Sequence, residues 1–88
     1  PPYKELVAIH STHRQKAKAW DQARRTKRVL KDISLSTLGP VEHIHSGGRF
    51  QVSLLLRLDP HESPSIKRRL LGLIERGQQI DIDPKDVL

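Results

Sequence analysis

Residues 41–58 read VEHIHSGGRFQVSLLLRL, and this stretch carries the clearest β-hairpin pattern in the chain. Between Arg49 and Leu58, Phe50 and every second residue after it are apolar, which is the period of a strand with one buried face. Gly47 and Gly48 allow the backbone conformations of a tight connection to the preceding segment. The sequence therefore predicts two antiparallel strands, over 41–45 and 49–58.

The length of the hairpin loop decides which face of the sheet its two histidines occupy. A two-residue loop at 47–48 opposes His45 to Phe50, whereas a three-residue loop at 46–48 opposes Ile44 to Phe50. A slip of one residue moves every side chain of a strand to the other face. We predict the three-residue loop, because burying His43 and His45 without partners costs more free energy than a glycine bulge does.

The segment before the hairpin is interpreted as a strand followed by a helix. Residues 6–9 form a short apolar run typical of a strand, and Ser11 or Thr12 is placed to cap the next helix. A single helix over residues 2–38 is the alternative interpretation. Gly39-Pro40 ends the helix in either case. Its apolar face repeats at steps of four and three, at Ala19, Ala23, Thr26, Leu30 and Ile33.

After the hairpin, Ser63 as the N-cap and Pro64 at the first helical position predict a second helix that continues to Glu75 or Arg76. Residues 80–83 alternate as a short last strand. The predicted order is β-α-β-β-α-β. This order is that of a ferredoxin-like α+β sandwich, in which two helices cover one face of a four-stranded antiparallel sheet. The other face of the sheet is expected to be open.

Composition limits the class of protein. The 88 residues suit a single domain over 1–88, and the start at Pro1 without a methionine suggests a fragment of a longer protein. Because there is no cysteine, disulfides and thiolate metal sites are excluded. The longest apolar run, residues 6–9, is far shorter than the roughly 20 residues that span a bilayer. We expect a soluble intracellular domain, in the cytoplasm or nucleus, with no membrane partner.

Most of the net charge lies in one segment. Residues 14–31 hold eight basic side chains and one acid, while the whole chain has a formal charge of +6. Such a concentrated charge predicts a polyanionic partner. The row from Ala17 to Lys31 that contains Trp20 has no acid. The predicted nucleic-acid contacts are Arg14, Lys18, Trp20, Arg24, Arg25, Lys27, Arg28 and Lys31, with Arg49 and Arg57 added from the open face of the sheet.

Trp20 borders the apolar face of the basic helix. We predict that it is largely buried and anchors the helix to the sheet, because tryptophan can bury its ring while one edge stays hydrated. The alternative is a stacking platform for an unpaired base beside Arg24 and Lys27.

His43-Ile44-His45 is the one arrangement that suits a metal, since residues two apart on a strand project to the same face. The pair resembles the His-hydrophobe-His motif of the HUH single-strand endonucleases and replication initiators over three residues. That resemblance implies a metal-dependent attack by a tyrosine on a later helix, whereas Tyr3 precedes the motif. Asp81 and Asp83 are expected on the opposite sheet edge, about 14 Å away. We therefore predict no metal ligand and no cofactor.

No phosphate-binding glycine loop, paired carboxylates or histidine–nucleophile triad is recognisable in the sequence. The function that the sequence favours is a non-enzymatic nucleic-acid-binding module, with RNA favoured over DNA. The alternative is a protein-interaction or dimerisation domain that uses the exposed sheet face, through Leu55, or the edge strand over 41–45. A metal-dependent single-strand nuclease fragment is the third hypothesis.

Overall fold

The structure is a computed structural model that describes residues 5–45 and 47–82. The strand before the first helix is present, so the alternative of one continuous helix over residues 2–38 is wrong. The helices and strands are β1 (Glu5–His13), α1 (Lys16–Asp32), β2 (Thr37–His45), β3 (Arg49–Leu58), α2 (Ser63–Leu73) and β4 (Gln78–Ile82).

The four strands form one antiparallel sheet in the order β2-β3-β1-β4. β3 and β1 are the interior strands, and β2 and β4 are the edges. With the two helices, this sheet makes the chain an α+β domain. One side of the β2 backbone has no strand partner among the described residues. An edge of this kind can pair with another chain unless side chains prevent it.

The hairpin has the predicted three-residue loop. His45 pairs with Arg49, and Ile44 pairs with Phe50. His43 therefore lies opposite Gln51, on the face of the sheet that points away from the helices. The register predicted from the sequence is confirmed.

The helices pack on the other face of the sheet, over two apolar clusters. The smaller cluster joins Ala19 and Ala23 of α1 to Val52 of β3, and Trp20 and Phe50 pack against it. The predicted apolar face of α1 is confirmed. Each leucine or isoleucine buried in this layer contributes about 1.5–3 kcal/mol to stability. The larger cluster contains residues of both helices and both interior strands, namely Val7, Ile9, Leu30, Leu56, Leu58, Ile66 and Leu70.

The face of the sheet away from the helices, called here the open face, is defined by Ala8, His10, Gln51, Ser53 and Leu55. Leu55 is only 5% exposed. It therefore offers little surface to a partner, and the expectation that it lies in an exposed contact patch is wrong. The exposed apolar side chains of β2 are Leu38 and Ile44, at 49% and 76%.

A buried amide connects three elements on the helix side of the sheet. Gln78 donates from Nε2 to Ser11 Oγ at 3.0 Å and to Thr26 Oγ1 at 2.7 Å, and its Oε1 accepts the backbone N–H of Glu75 at 2.7 Å. The amide is thus fully paired, which is what makes a buried polar group stabilising. Because Ser11 is used inside the sheet, the prediction that Ser11 or Thr12 caps α1 is wrong.

α2 ends at Leu73, earlier than the sequence predicts. Ser63 is its first residue rather than its cap, and the Ser63 hydroxyl donates to Glu5 Oε2 at 2.5 Å. The ammonium of Lys67 donates to the other oxygen of Glu5. The Lys67 hydrogen bond, followed by that of Ser63, holds the pKa of Glu5 below its usual value. These contacts attach the start of α2 to β1.

β2 contains one extra residue relative to β3. Leu38 pairs with Leu55, but Val41 pairs with Ser53, so three steps along β2 match two along β3. This irregularity is a β-bulge, and it exchanges the faces to which the following residues of β2 point. Without the bulge, residue 42 would point to the open face.

Gly39 makes the bulge possible. Its φ is +99°, and a Cβ built on it would lie 2.8 Å from the Ser53 carbonyl oxygen. The left-handed backbone conformation favours glycine, and the close approach of the two strands leaves no room for a side chain. Glu42 is consequently placed opposite buried Val52, on the helix side of the sheet.

We expect Gly39→Ala to lower the free energy of unfolding by about 2–3 kcal/mol, because it adds a close contact to the cost of a left-handed residue. Gly47→Ala is the matched control, since Gly47 has a φ of +87° and no atom within 4 Å of an added Cβ. The control should lose about 1 kcal/mol. Urea unfolding followed by far-ultraviolet circular dichroism measures the free energy of unfolding of both variants. Equal decreases would show that the close approach of Gly39 to Ser53 does not contribute to the cost of Gly39→Ala.

Candidate nucleic-acid interface

The basic segment forms the exposed surface of α1. Its buried stripe runs through Ala19, Ala23 and Leu30, so the cations lie on the remaining three sides of the helix. Arg14 lies in the bend before α1 and is not part of the helix. All the basic residues within α1 are exposed, namely Lys16, Lys18, Arg24, Arg25, Lys27, Arg28 and Lys31.

The buried stripe separates two flanks of the helix. One of them faces β2 and is called here the β2-side flank; it consists of Lys16, Trp20, Arg24, Lys27 and Lys31. Lys31 and Lys27 share a shallow hollow with Thr37 of β2. On the other flank, Lys18 and Arg25 share a hollow with His13 and Glu75. Arg28 lies on the outer crest between the flanks, as helical periodicity requires.

Trp20 connects the β2-side flank to the bulged strand. Its indole Nε1 donates to Glu42 Oε1 at 2.6 Å, and Lys16 Nζ lies 3.5 Å from the same oxygen. The guanidinium of Arg24 lies over the indole ring, 5.3 Å from its centroid. Trp20 has intermediate exposure, with its ring packed against the smaller apolar cluster, which agrees with the prediction of an anchor that keeps one edge hydrated. A shallow hollow surrounds it, lined by Lys16, Ala17, Trp20, Asp21, Arg24 and Glu42.

Two further cations of this flank have protein partners. Lys27 Nζ donates to the Gly39 carbonyl oxygen at 2.9 Å, which ties the helix to the bulge. Arg24 lies 3.5 Å from Asp21, in a pair whose side chains are both more than half exposed. Such exposed pairs contribute about 0–1 kcal/mol, so Arg24 remains available to other anions. Within residues 5–45 and 47–82, no carboxylate pairs with Arg14, Lys18, Arg28 or Lys31.

Arg25 has a structural role on the opposite flank. Its Nε and Nη2 donate to the two carboxylate oxygens of Glu75 at 2.9 and 2.8 Å. This bidentate hydrogen bond lowers the pKa of Glu75 and raises that of Arg25. Arg25 therefore joins α1 to the connection between α2 and β4, and it is less available for phosphate than the sequence suggests.

Arg49 and Arg57 lie on the open face, because Arg57 pairs with Leu6 and Arg49 with His45 in the register of the sheet. Both are exposed. The predicted contact residues thus occupy two surfaces on opposite sides of the sheet. A ligand that follows α1 does not reach Arg49 and Arg57 at the same time unless it passes around the β2 edge.

The structure also gathers a polar group that sequence reasoning missed. His10 Nδ1 lies 2.7 Å from Ser53 Oγ and 3.2 Å from Gln51 Nε2, and His10 Nε2 lies 3.6 Å from Asp81. Ser53 is 2% exposed, and the distance to Asp81 exceeds that of a hydrogen bond. The group therefore orders the centre of the open face. Its members come from three different strands, so no local sequence motif predicts it.

The histidine pair of β2 lies at the other sheet edge from Asp81. His43 is on β2 and Asp81 is on β4, with two strands between them. Asp83 lies outside the described residues. In the part of the chain that the structure describes, no group of three or more histidine, aspartate or glutamate side chains could hold a metal ion.

Fold and surface together define a small α+β domain that carries a polybasic helix beside an edge strand. No known protein-family pattern matches the chain. Among curated proteins, none matches it either. Neither of the two described helices is long and apolar enough to cross a membrane.

We expect Trp20→Ala to lower the free energy of unfolding by about 2 kcal/mol. This is less than the roughly 3–5 kcal/mol of a fully buried tryptophan, because the ring is only partly covered. The substitution removes packing on Ala23 and Val52 and leaves Glu42 without its indole donor. Urea unfolding followed by circular dichroism measures the change, since the variant has no other tryptophan for fluorescence. A loss above about 4 kcal/mol would show that the ring is a core residue.

Proposed function

We propose that this domain is a non-enzymatic nucleic-acid-binding module of ferredoxin-like topology, with RNA favoured over DNA. The strand order supports this topology, because β2-β3-β1-β4 read from the other edge is β4-β1-β3-β2. The larger apolar cluster supports it too, since residues of both helices share that cluster on one face of the sheet.

One observation carries the functional proposal, namely the row of cations on the β2-side flank. Lys16, Arg24, Lys27 and Lys31 extend along about 22 Å of helix, a length over which a nucleic-acid backbone places several phosphates. Two acids lie beside this row: Glu42 is 3.5 Å from Lys16, and Asp21 is 3.5 Å from Arg24. Contacts of this kind give affinity and salt dependence with little sequence preference.

The preference for RNA rests on the partly accessible indole in the same flank. Aromatic rings and guanidinium planes stack on bases that are not paired, and RNA presents such bases in loops, bulges and ends. Trp20 supplies an aromatic ring and Arg24 supplies a guanidinium plane, and the two groups lie together.

The second candidate function is a protein-interaction or dimerisation domain. The observation that favours it is the outer edge of β2, which pairs with no other strand within residues 5–45 and 47–82. On this strand Ile44 is 76% exposed and Leu38 is 49% exposed. An extended segment of another chain could add to such an edge through backbone hydrogen bonds.

We expect the triple variant Arg24→Gln, Arg28→Gln and Lys31→Gln to bind single-stranded oligonucleotides at least about tenfold more weakly at low salt. The slope of log affinity against log salt concentration should fall by about 2, at roughly 0.7 for each phosphate contact to a single strand. Lys27 is kept, because its bond to the Gly39 carbonyl supports the fold. Fluorescence anisotropy across a salt series measures both quantities.

The matched control is Arg68→Gln, Arg69→Gln and Arg76→Gln, which removes the same charge from exposed positions outside α1. It should leave the affinity within about twofold of the parent protein. If both triple variants weaken binding equally, overall charge accounts for the binding and the interface on α1 is wrong. Dimerisation without oligonucleotide binding would favour the second candidate function.

A further inference from the structure

Glu42 is an acid that lies next to Trp20 on a mostly basic surface, and only one oxygen of its carboxylate has a hydrogen-bond partner among the described residues. Its side chain is 24% exposed. Oε1 accepts the indole N–H of Trp20 and lies near Lys16. Among the described residues, none donates a hydrogen bond to Oε2. The hydrogen bond to Trp20 thus fixes the Glu42 carboxylate beside the indole and leaves Oε2 available as an acceptor.

A carboxylate in this position opposes the attraction of the surrounding cations for phosphate. The indole hydrogen bond alone does not require a charged acceptor, because a neutral amide oxygen would serve equally well. A neutral amide would lack the second acceptor oxygen, Oε2, that the carboxylate provides. A ligand group that donates a hydrogen bond beside the ring would use it.

We propose that Trp20 and Glu42 form a pocket for an unpaired base with an exocyclic amino group, such as cytosine or adenine. The inference rests on the proposed nucleic-acid-binding function and names the base that the same surface prefers. The base stacks on the indole, and its amino group donates to Glu42 Oε2. Uracil presents a carbonyl oxygen where cytosine has its amino group, so it meets the carboxylate with like partial charge.

Arg24 occupies the ring face that the base needs. Its guanidinium lies 5.3 Å from the ring centroid, and its side chain is 63% exposed. The pair with Asp21 is long and weak, so the guanidinium can leave the ring at little cost. In the complex the base takes that place, and Arg24 contacts the adjoining phosphate or stacks on the outer face of the base.

Lys16 completes the arrangement. Its ammonium lies 3.5 Å from Glu42 Oε1, and the Lys16 side chain is 60% exposed. It offers hydrogen-bond donors to a phosphate on the β2 side of the ring. The pocket therefore combines a stacking ring, one base-edge acceptor and two phosphate donors.

The comparison of cytosine with uracil tests this inference most sharply, because the two bases have the same size and differ at the amino position. Fluorescently labelled oligoribonucleotides of about 12 cytosines or 12 uracils are titrated with the parent protein near neutral pH and low salt. We expect cytosine to bind about fivefold more tightly or better, as one base-edge hydrogen bond allows.

The decisive variant is Glu42→Gln, whose amide oxygen can still accept the Trp20 N–H. The ratio of cytosine to uracil affinity should fall to one or below, because the amide NH2 that replaces Oε2 can donate to the carbonyl oxygen of uracil but cannot accept from the amino group of cytosine. Glu62→Gln is the matched control, since it makes the same change of charge at an exposed residue outside the pocket. It should keep the parent ratio.

Two results would overturn the inference, and they are distinguishable. Equal affinity of the parent protein for the two oligomers, or a preference that survives Glu42→Gln, would refute the base pocket and leave the phosphate interface standing. Absence of any oligonucleotide binding would refute the proposed function and the pocket with it.

Discussion

The β-bulge at Gly39 is the constraint on which the candidate site depends. One additional residue between Leu38 and Val41 reverses the faces of β2, so Glu42 points towards α1 and His43 points to the open face. Only then can Glu42 accept the Trp20 N–H and Gly39 offer its carbonyl to Lys27. A change of backbone geometry in one edge strand thereby sets the chemistry of the helix surface beside it.

The basic helix combines a structural and an exposed role, and its periodicity separates the two. Ala23, Leu30 and their neighbours bury one stripe against the sheet, and Arg25 pairs with Glu75 to hold the far flank. The β2-side flank keeps most of its cations accessible because an edge strand cannot cover it as an interior strand would. High charge density is tolerated there, since solvent screens exposed like charges over short distances.

The two sides of the sheet show different ways of pairing polar groups. On the helix side, Gln78 satisfies Ser11 and Thr26 within the core, in an environment where an unpaired group would be costly. On the open face, His10, Gln51 and Ser53 pair with one another across two strands. The open face is therefore an ordered polar surface, while the accessible cations are concentrated around α1.

Much of the architecture follows from local pattern. The order of the elements was predicted from the alternation in β3 and the apolar stripe of α1, because strand and helix periods are properties of neighbouring residues. The glycine loop predicted the register of the hairpin. The concentration of charge and the identity of its residues were equally visible. The ends of the helices were harder to predict from the sequence. Ser11 and Ser63 have the chemistry of helix caps, yet both hydroxyls form hydrogen bonds with residues distant in sequence.

The sequence by itself thus determined which residues form each layer and that α1 is basic. Only the tertiary structure decided that Glu42 meets Trp20, that Arg25 is occupied and that Arg49 and Arg57 lie on another surface, because those facts depend on strand order and on a bulge that long-range packing selects.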